Sequence, residues 1–310
     1  MIQYFDSTEN GLLELSTLQK KCWVSVSSPS QSEIDQLVNQ FKVPADTLSD
    51  ILDIDESSRI EVESRYLIMI VKIPVINDDE SHIPFITIPL GILISNDYFI
   101  TICGRENDIL KDFINGKVKN FDMHNHRRFV LQIFLKTSLL YLRDLKEINR
   151  ITRVVETKIN KSVKNEELLK LLEMEKSLVY FSVSLKSNEL MMEKLRRSKF
   201  SKMAEEEEDL IDDVIVENKQ AIELTNIYTN ILNGTMDAFA SIISNNQNLV
   251  MKTLTSMTIV LMIPTLVASI FGMNVDLPFQ HEPWAFLMVI ALSIILSIAG
   301  ILYFRRKEMF

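Results

Sequence analysis

One set of residues could do chemistry by type and spacing together: Asp237, Ser241, Ser244, Asn248, Met251, Thr255, Thr258, Met262, Thr265, Ser269 and Gly272. The gaps between these eleven positions alternate strictly between four and three. That spacing is a heptad seam on one face of a helix. Here the seam carries small, hydroxyl, amide and thioether side chains where a coiled coil carries Leu and Ile. Isolated Ser or Thr residues of this kind commonly pack membrane helices together. Eleven in register, headed by a carboxylate, are expected instead to wall a water-filled path. Rings of hydroxyl and amide oxygens can hydrogen-bond the waters of a hydrated dication without stripping its shell. Met251 and Met262, with Leu254 beside the seam, form an apolar gate able to close by excluding water.

The elements that must position this seam lie at the end of the chain. Residues 254–271 and 285–304 are uncharged runs of about 18 and about 20 residues, close to the roughly 20 that span a bilayer. The link 272–284 holds Asp276 and Glu282 but no Lys or Arg, whereas Lys252 precedes the first run and Arg305, Arg306 and Lys307 follow the second. The positive-inside rule puts both termini in the cytoplasm and the link outside, in a multi-pass protein of the cell membrane. Trp284 and Tyr303 flank the second run as interfacial rings. Two spans cannot enclose a path, so several copies must assemble around a cyclic axis.

Upstream, no proline lies between Pro89 and Pro264 and no glycine between Gly116 and Gly234. Helices are therefore expected over 128–161 and 166–197, with a third from about 209 running unbroken toward the membrane. The acidic run 205–209 marks a turn or the start of that helix. The first 120 residues read as α/β, with strands over 2–5, 22–26, 60–62, 66–73, 86–94 and 98–102. Ser30 and Glu33 have capping-box spacing, Pro44 suits a helical first turn, and 77–80 is an exposed acidic turn. The expected division is 1–120 as a cytoplasmic α/β domain, 121–248 as a long helical stalk and 249–310 as a two-span membrane domain.

A net charge of −9 offers no basic face for nucleic acid. Cys22 and Cys103 lack metal-ligand spacing and read as reduced, partly buried thiols. The first residues lack the pattern of a signal peptide. No phosphate-cradling loop, zinc-protease motif or nucleophile elbow supports an enzyme. His124 and His126 read as a surface turn rather than a zinc site. A membrane-tethered sensor or scaffold is the alternative from another class.

Directly after the first span stand Gly272, Met273 and Asn274, preceded by the run Asn248 to Thr255 and followed by an acidic link and a second span. In this placement the sequence resembles the CorA family of magnesium transporters and its ZntB-like zinc-transporting relatives. The resemblance implies a funnel-shaped homopentamer that moves Mg²⁺, Co²⁺ and Ni²⁺, with Zn²⁺ as the alternative cargo, and needs no other cofactor. It implies that Asn274 binds the hydrated ion at the outer mouth, that Asp237, Asn248 and Thr265 line the pore, and that Met251, Leu254 and Met262 gate it. It further implies cytoplasmic Mg²⁺ sensing at Asp213, with Asp209 and Asp212 nearby and Asp78 and Asp79 as partners. A merely solvated charged face is the other reading of these carboxylates. Phe271 stands where the family pattern has Tyr, and 275–282 replaces its Met-Pro-Glu-Leu.

Overall fold

The computed structural model describes residues 1–8, 11–77, 83–159, 165–197, 205–274 and 282–307. They divide into two compact units, Met1–Gly234 and Thr235–Phe310.

The first unit is built on a seven-stranded sheet of β1 (Ile2–Thr8), β2 (Gly11–Leu15), β3 (Trp23–Ser27), β4 (Arg59–Glu63), β5 (Tyr66–Ile76), β6 (Phe85–Ile94) and β7 (Phe99–Cys103). The spatial order is β2-β1-β3-β7-β6-β5-β4, with β3 and β7 parallel and every other pair antiparallel. Because successive side chains point to opposite faces, Trp23 enters one core while Val24 and Val26 enter the other. β5 divides likewise, with Met69, Val71 and Ile73 on the first face and Tyr66, Ile68 and Ile70 on the second. Both faces are covered, which is why these strands are continuous apolar runs in sequence.

α1 (Gln31–Asn39) and α2 (Ala45–Leu52) bring Leu37, Leu48 and Ile51 to the second face. The capping box is present: Glu33 Oε2 accepts the Ser30 N–H at 2.8 Å, and Oε1 accepts the N–H of Ile2 at 2.8 Å. The Ser30 N–H first, and with it the N-terminal amine and the Ser30 hydroxyl, hold the Glu33 carboxyl below its ordinary pKa. Pro44 is the cap residue just before α2. On β6, a Cβ added to Gly91 would sit 2.4 Å from Ile51 Cδ1 and 2.7 Å from Cγ1, so α2 packs directly on bare backbone. Gly91→Val is expected to destabilise the protein by about 1–3 kcal/mol through overpacking. Thermal denaturation checks this, and an unchanged midpoint would contradict the contact.

The first face is covered by α3 (Asp108–Ile114), α4 (His126–Ile159) and part of α5 (Asn165–Arg197). α5 buries Leu171, Met174, Leu178, Phe181, Leu185, Asn188, Met192 and Leu195, a strict three-four alternation that keeps one side of the helix inward. Within that side, fully buried Asn188 accepts the Ser58 hydroxyl at 2.6 Å and the Lys72 N–H at 3.0 Å, and donates to the Lys72 carbonyl at 2.9 Å. The Tyr141 hydroxyl donates to the same carbonyl at 3.0 Å. Every member has a partner, so the network fixes α4 and α5 on β5 instead of destabilising the core.

The last helices are α6 (Glu205–Phe271) and α7 (Ala285–Arg306). In the first unit α6 turns Glu207, Ile211, Val214, Asn218, Ala221, Thr225 and Leu232 inward, again on four-three spacing. In the second unit its later half lies beside α7, where a Cβ on Gly300 would stand 3.2 Å from Ile263 Cδ1. Both helices are long and apolar enough to cross a membrane. The expected α/β domain, long helices and apolar C-terminal helices are thus all present. β2 and α3 were not anticipated. Cys22 and Cys103 are free and buried, and burial pushes the Cys103 thiol up to about 11.

Candidate functional site

Ten of the eleven seam positions, Asp237 through Ser269, lie on α6 and Gly272 follows its last residue; all eleven are exposed in the chain. The inward positions of the second half are different ones: Ser256 and Val267 are buried, and Val260 and Ile263 face Gly300 of α7. These are offset by about two residues from the seam, so at 3.6 residues per turn the two sets fall on roughly opposite sides of the helix. α7 therefore leaves the polar side open. Met251, Leu254 and Met262 are 60%, 57% and 62% exposed, which places the three expected gate residues on or beside that open side.

Two seam hydroxyls have their protons committed. Thr258 Oγ1 donates to the Leu254 carbonyl at 2.8 Å and Thr265 Oγ1 to the Leu261 carbonyl at 3.3 Å. Each oxygen keeps its lone pairs for an outside donor. Pro264 sits within the helix and has no N–H for the Val260 carbonyl. α6 closes as Gly272 N–H reaches the Ala268 carbonyl at 2.9 Å and Met273 N–H the Ile270 carbonyl at 3.3 Å. A Cβ on Gly272 would stand 3.2 Å from the Ala268 carbonyl oxygen, a tight approach at the close of the helix. Met273 and Asn274 follow, both exposed. The rest of the link, 275–281, lies outside the described residues.

Toward the N-terminus of α6 the same spacing continues through Gly234, Asn230, Ile227, Glu223, Gln220, Val216, Asp213 and Asp209, and all eight are exposed. Two of the expected sensing carboxylates thus sit in register with the seam. Asp212 does not, and it pairs with Arg196 at 3.0 Å. Asp78 and Asp79 lie outside the described residues. Among the described residues no group of three or more His, Cys, Asp or Glu is assembled to hold a metal. His126 is half-buried with its ring 5.2 Å from that of Phe99, and burial lowers its pKa. His124 Nε2 approaches Asp6 at 3.8 Å.

The family model described as CorA-like Mg2+ transporter protein matches residues 19–306. The chain belongs to this family. It is 26% identical over 294 residues to the cobalt/magnesium transport protein CorA of Methanocaldococcus jannaschii, covering 92% of this chain and 90% of the relative. The complete structure of the CorA magnesium transporter from that organism superposes with a TM-score of 0.84 at 24% identity, covering 100% of this chain and 99% of that one. The ZntB cytoplasmic domain from Vibrio parahaemolyticus shares the fold at a TM-score of 0.58 and 12% identity, over 79% of this chain and 97% of that domain. With two apolar terminal helices, this CorA-like chain is a membrane protein.

Sequence reasoning stopped the seam at Asp237 because the residues before it are chemically mixed. Val216 and Ile227 look like core, and Glu223 and Gln220 like ordinary surface. The four-three spacing was present there too, and exposure is what separates this side from the buried one.

Proposed function

We propose that the chain is a subunit of a homopentameric channel that carries Mg²⁺, with Co²⁺ and Ni²⁺ as further cargo, across the cell membrane, both termini being cytoplasmic. The observation that carries this reading is the polar seam of α6, left open on the side away from α7 and ending at Gly272, Met273 and Asn274. The name of the Methanocaldococcus relative supports magnesium and cobalt as cargo. Around a cyclic axis each seam residue becomes a ring. Asp237 supplies the cytoplasmic carboxylate ring, and Asn248, Thr255, Thr258, Thr265 and Ser269 supply oxygen rings above it. A hydrated dication points its water protons outward, and the committed hydroxyls of Thr258 and Thr265 meet them with lone pairs. The ion keeps its shell, as Mg²⁺ favours. Met251, Leu254 and Met262 form the apolar gate between these wet rings.

Uptake of Mg²⁺, Co²⁺, Ni²⁺ and Zn²⁺ into liposomes containing the purified protein tests the reading. Passage of none of them would remove it, and passage of Zn²⁺ alone would replace the magnesium assignment. Regulation by cytoplasmic Mg²⁺ is assigned to Asp213 and Asp209, unpaired among the described residues and on the helix that continues into the seam. An ion bound more tightly in the closed state than in the open one would hold the channel shut. Asp213→Lys is expected to raise the internal Mg²⁺ needed for half-inhibition of flux by tenfold or more. Inhibition at the wild-type concentration would refute the assignment.

A further inference from the structure

A cavity of about 950 Å³ opens in the first unit between α4, the facing ends of β5 and β6, and α6, at the upper end of small-molecule sites. Asp144 lines it while only 3% exposed. One of its carboxylate oxygens, Oδ1, accepts the Arg143 Nε–H at 2.9 Å. The other, Oδ2, is buried and has no hydrogen-bond partner among the described residues. A buried acceptor left without a donor is costly, and in a native protein it calls for an explanation. Arg143 also reaches Asp108 Oδ2 at 3.4 Å, so one guanidinium serves two carboxylates and leaves a negative charge uncompensated. Burial pushes the Asp144 carboxyl above its ordinary pKa, with Arg143 opposing the rise and Asp108 and Glu147 adding to it.

The other cations of the lining do not supply the missing charge. Arg150 is taken by Glu147 through two bonds, at 2.8 and 2.6 Å. Lys146 stands two residues along from Asp144, which at 3.6 residues per turn puts it on roughly the opposite side of α4. On α6, Glu217 lines the cavity and makes no ion pair among the described residues. Carboxylates on two separate helices are thus available, and Phe85, Leu142 and Ile151 line the same space with apolar surface. A bare dication does not suit Asp144, because the bonded guanidinium stands against it and the apolar wall offers no oxygen to complete its shell. An ammonium group on an alkyl stem does. It brings a single charge with three donors, and its methylenes can lie along apolar surface as a lysine stem does.

We propose that this cavity binds a linear aliphatic diamine, one ammonium on Asp144 Oδ2 and the other on Glu217, with the methylenes against Phe85, Leu142 and Ile151. Bound in this way, the ligand links α4 to the helix that continues into the seam. The inference goes beyond the conduction reading and does not depend on it, since the orphaned acceptor is set by α4 alone.

The test is isothermal titration of the full-length protein in detergent and an amine-free buffer, with cadaverine, pentylamine and Mg²⁺ as probes. Saturable binding of cadaverine is expected, with pentylamine at least tenfold weaker because it reaches only one carboxylate. Mg²⁺ at the same concentration should not displace the diamine. Glu217→Gln should weaken cadaverine binding tenfold or more, to the level of pentylamine. Asp144→Asn keeps the shape but turns an N–H toward the ammonium, and should weaken both amines while circular dichroism and assembly size stay unchanged. Asp237→Asn, on the seam, should bind cadaverine as wild type does. Absence of cadaverine binding at millimolar ligand, equal affinity in Glu217→Gln, or displacement by Mg²⁺ would overturn the proposal. So would binding lost in Asp237→Asn and kept in Asp144→Asn, which would put the diamine in the seam. Equal binding of pentylamine would overturn the role of the second ammonium. A protein that conducts no ion yet binds cadaverine in the expected pattern would leave this inference standing without the transport reading.

Discussion

Asn274→Ala is expected to lower divalent-cation flux into liposomes by tenfold or more without changing the size of the assembly. Asn274 follows the close of α6 and is exposed at the end of the seam. Its amide oxygen is an acceptor for the outward protons of a hydrated ion, and alanine offers nothing in its place. One net hydrogen bond contributes only about 1 kcal/mol. In a cyclic assembly, however, a single substitution removes that contact from every subunit at once. A tenfold loss requires about 1.4 kcal/mol at the barrier, so two lost contacts are enough. Flux equal to wild type would show that the mouth lies elsewhere. Asn274→Gln keeps the amide on a longer stem and should retain more flux than alanine.

Trp23→Ala is expected to destabilise the soluble unit by about 3–5 kcal/mol. That is a large share of the roughly 5–15 kcal/mol by which domains are stable. Trp23 is fully buried at the middle of the sheet and meets the Phe129 ring edge-on at 5.0 Å and the Phe5 ring at 5.2 Å. Its Nε1 donates to Thr101 Oγ1 at 2.9 Å, within the sheet. Alanine would remove the aromatic bridge from β3 to α4 and leave the Thr101 hydroxyl without its donor. Trp23→Phe keeps most of the packing and loses the donor, so its cost should be smaller. Thermal denaturation followed by circular dichroism orders the three proteins. A midpoint for Trp23→Ala close to wild type would mean that the sheet and α4 do not share this core.

The parts of the fold that were legible are those where local pattern and tertiary environment agree. The runs around Met69 and Leu90 are apolar without interruption because both faces of β5 and β6 are covered. α4, α5 and α6 were readable because no proline stands in 128–197 or 209–248. β2 was missed because Leu-Leu-Glu-Leu carries no alternation, and its strand character comes from pairing with β1, entered through Gly11 at φ +117°. α3 is seven residues long, too short to show a period. Its one local signal was Asn107, whose side chain accepts the Leu110 N–H at 2.9 Å as a cap.

The site divides in the same way. Hydroxyl and amide residues on a heptad are visible in the sequence because a membrane segment has little other use for them in such number. The three aspartates at 209, 212 and 213 are alike in type. Asp212 stands off the four-three spacing that the other two keep, and the tertiary position of Arg196 gives it a partner.

In the proposed channel, the two threonines whose protons are committed to the helix backbone also bear on the sign of the charge that can pass. A wall of lone pairs offers a chloride ion no hydrogen to accept and opposes it by its dipoles, although neither span holds a carboxylate. Discrimination that comes from fixed dipoles at contact distance is not screened as separated surface charges are, for which the Debye length is about 8 Å at physiological salt. Exclusion of anions should therefore persist in concentrated salt that would weaken a pore relying on rings of Asp or Glu.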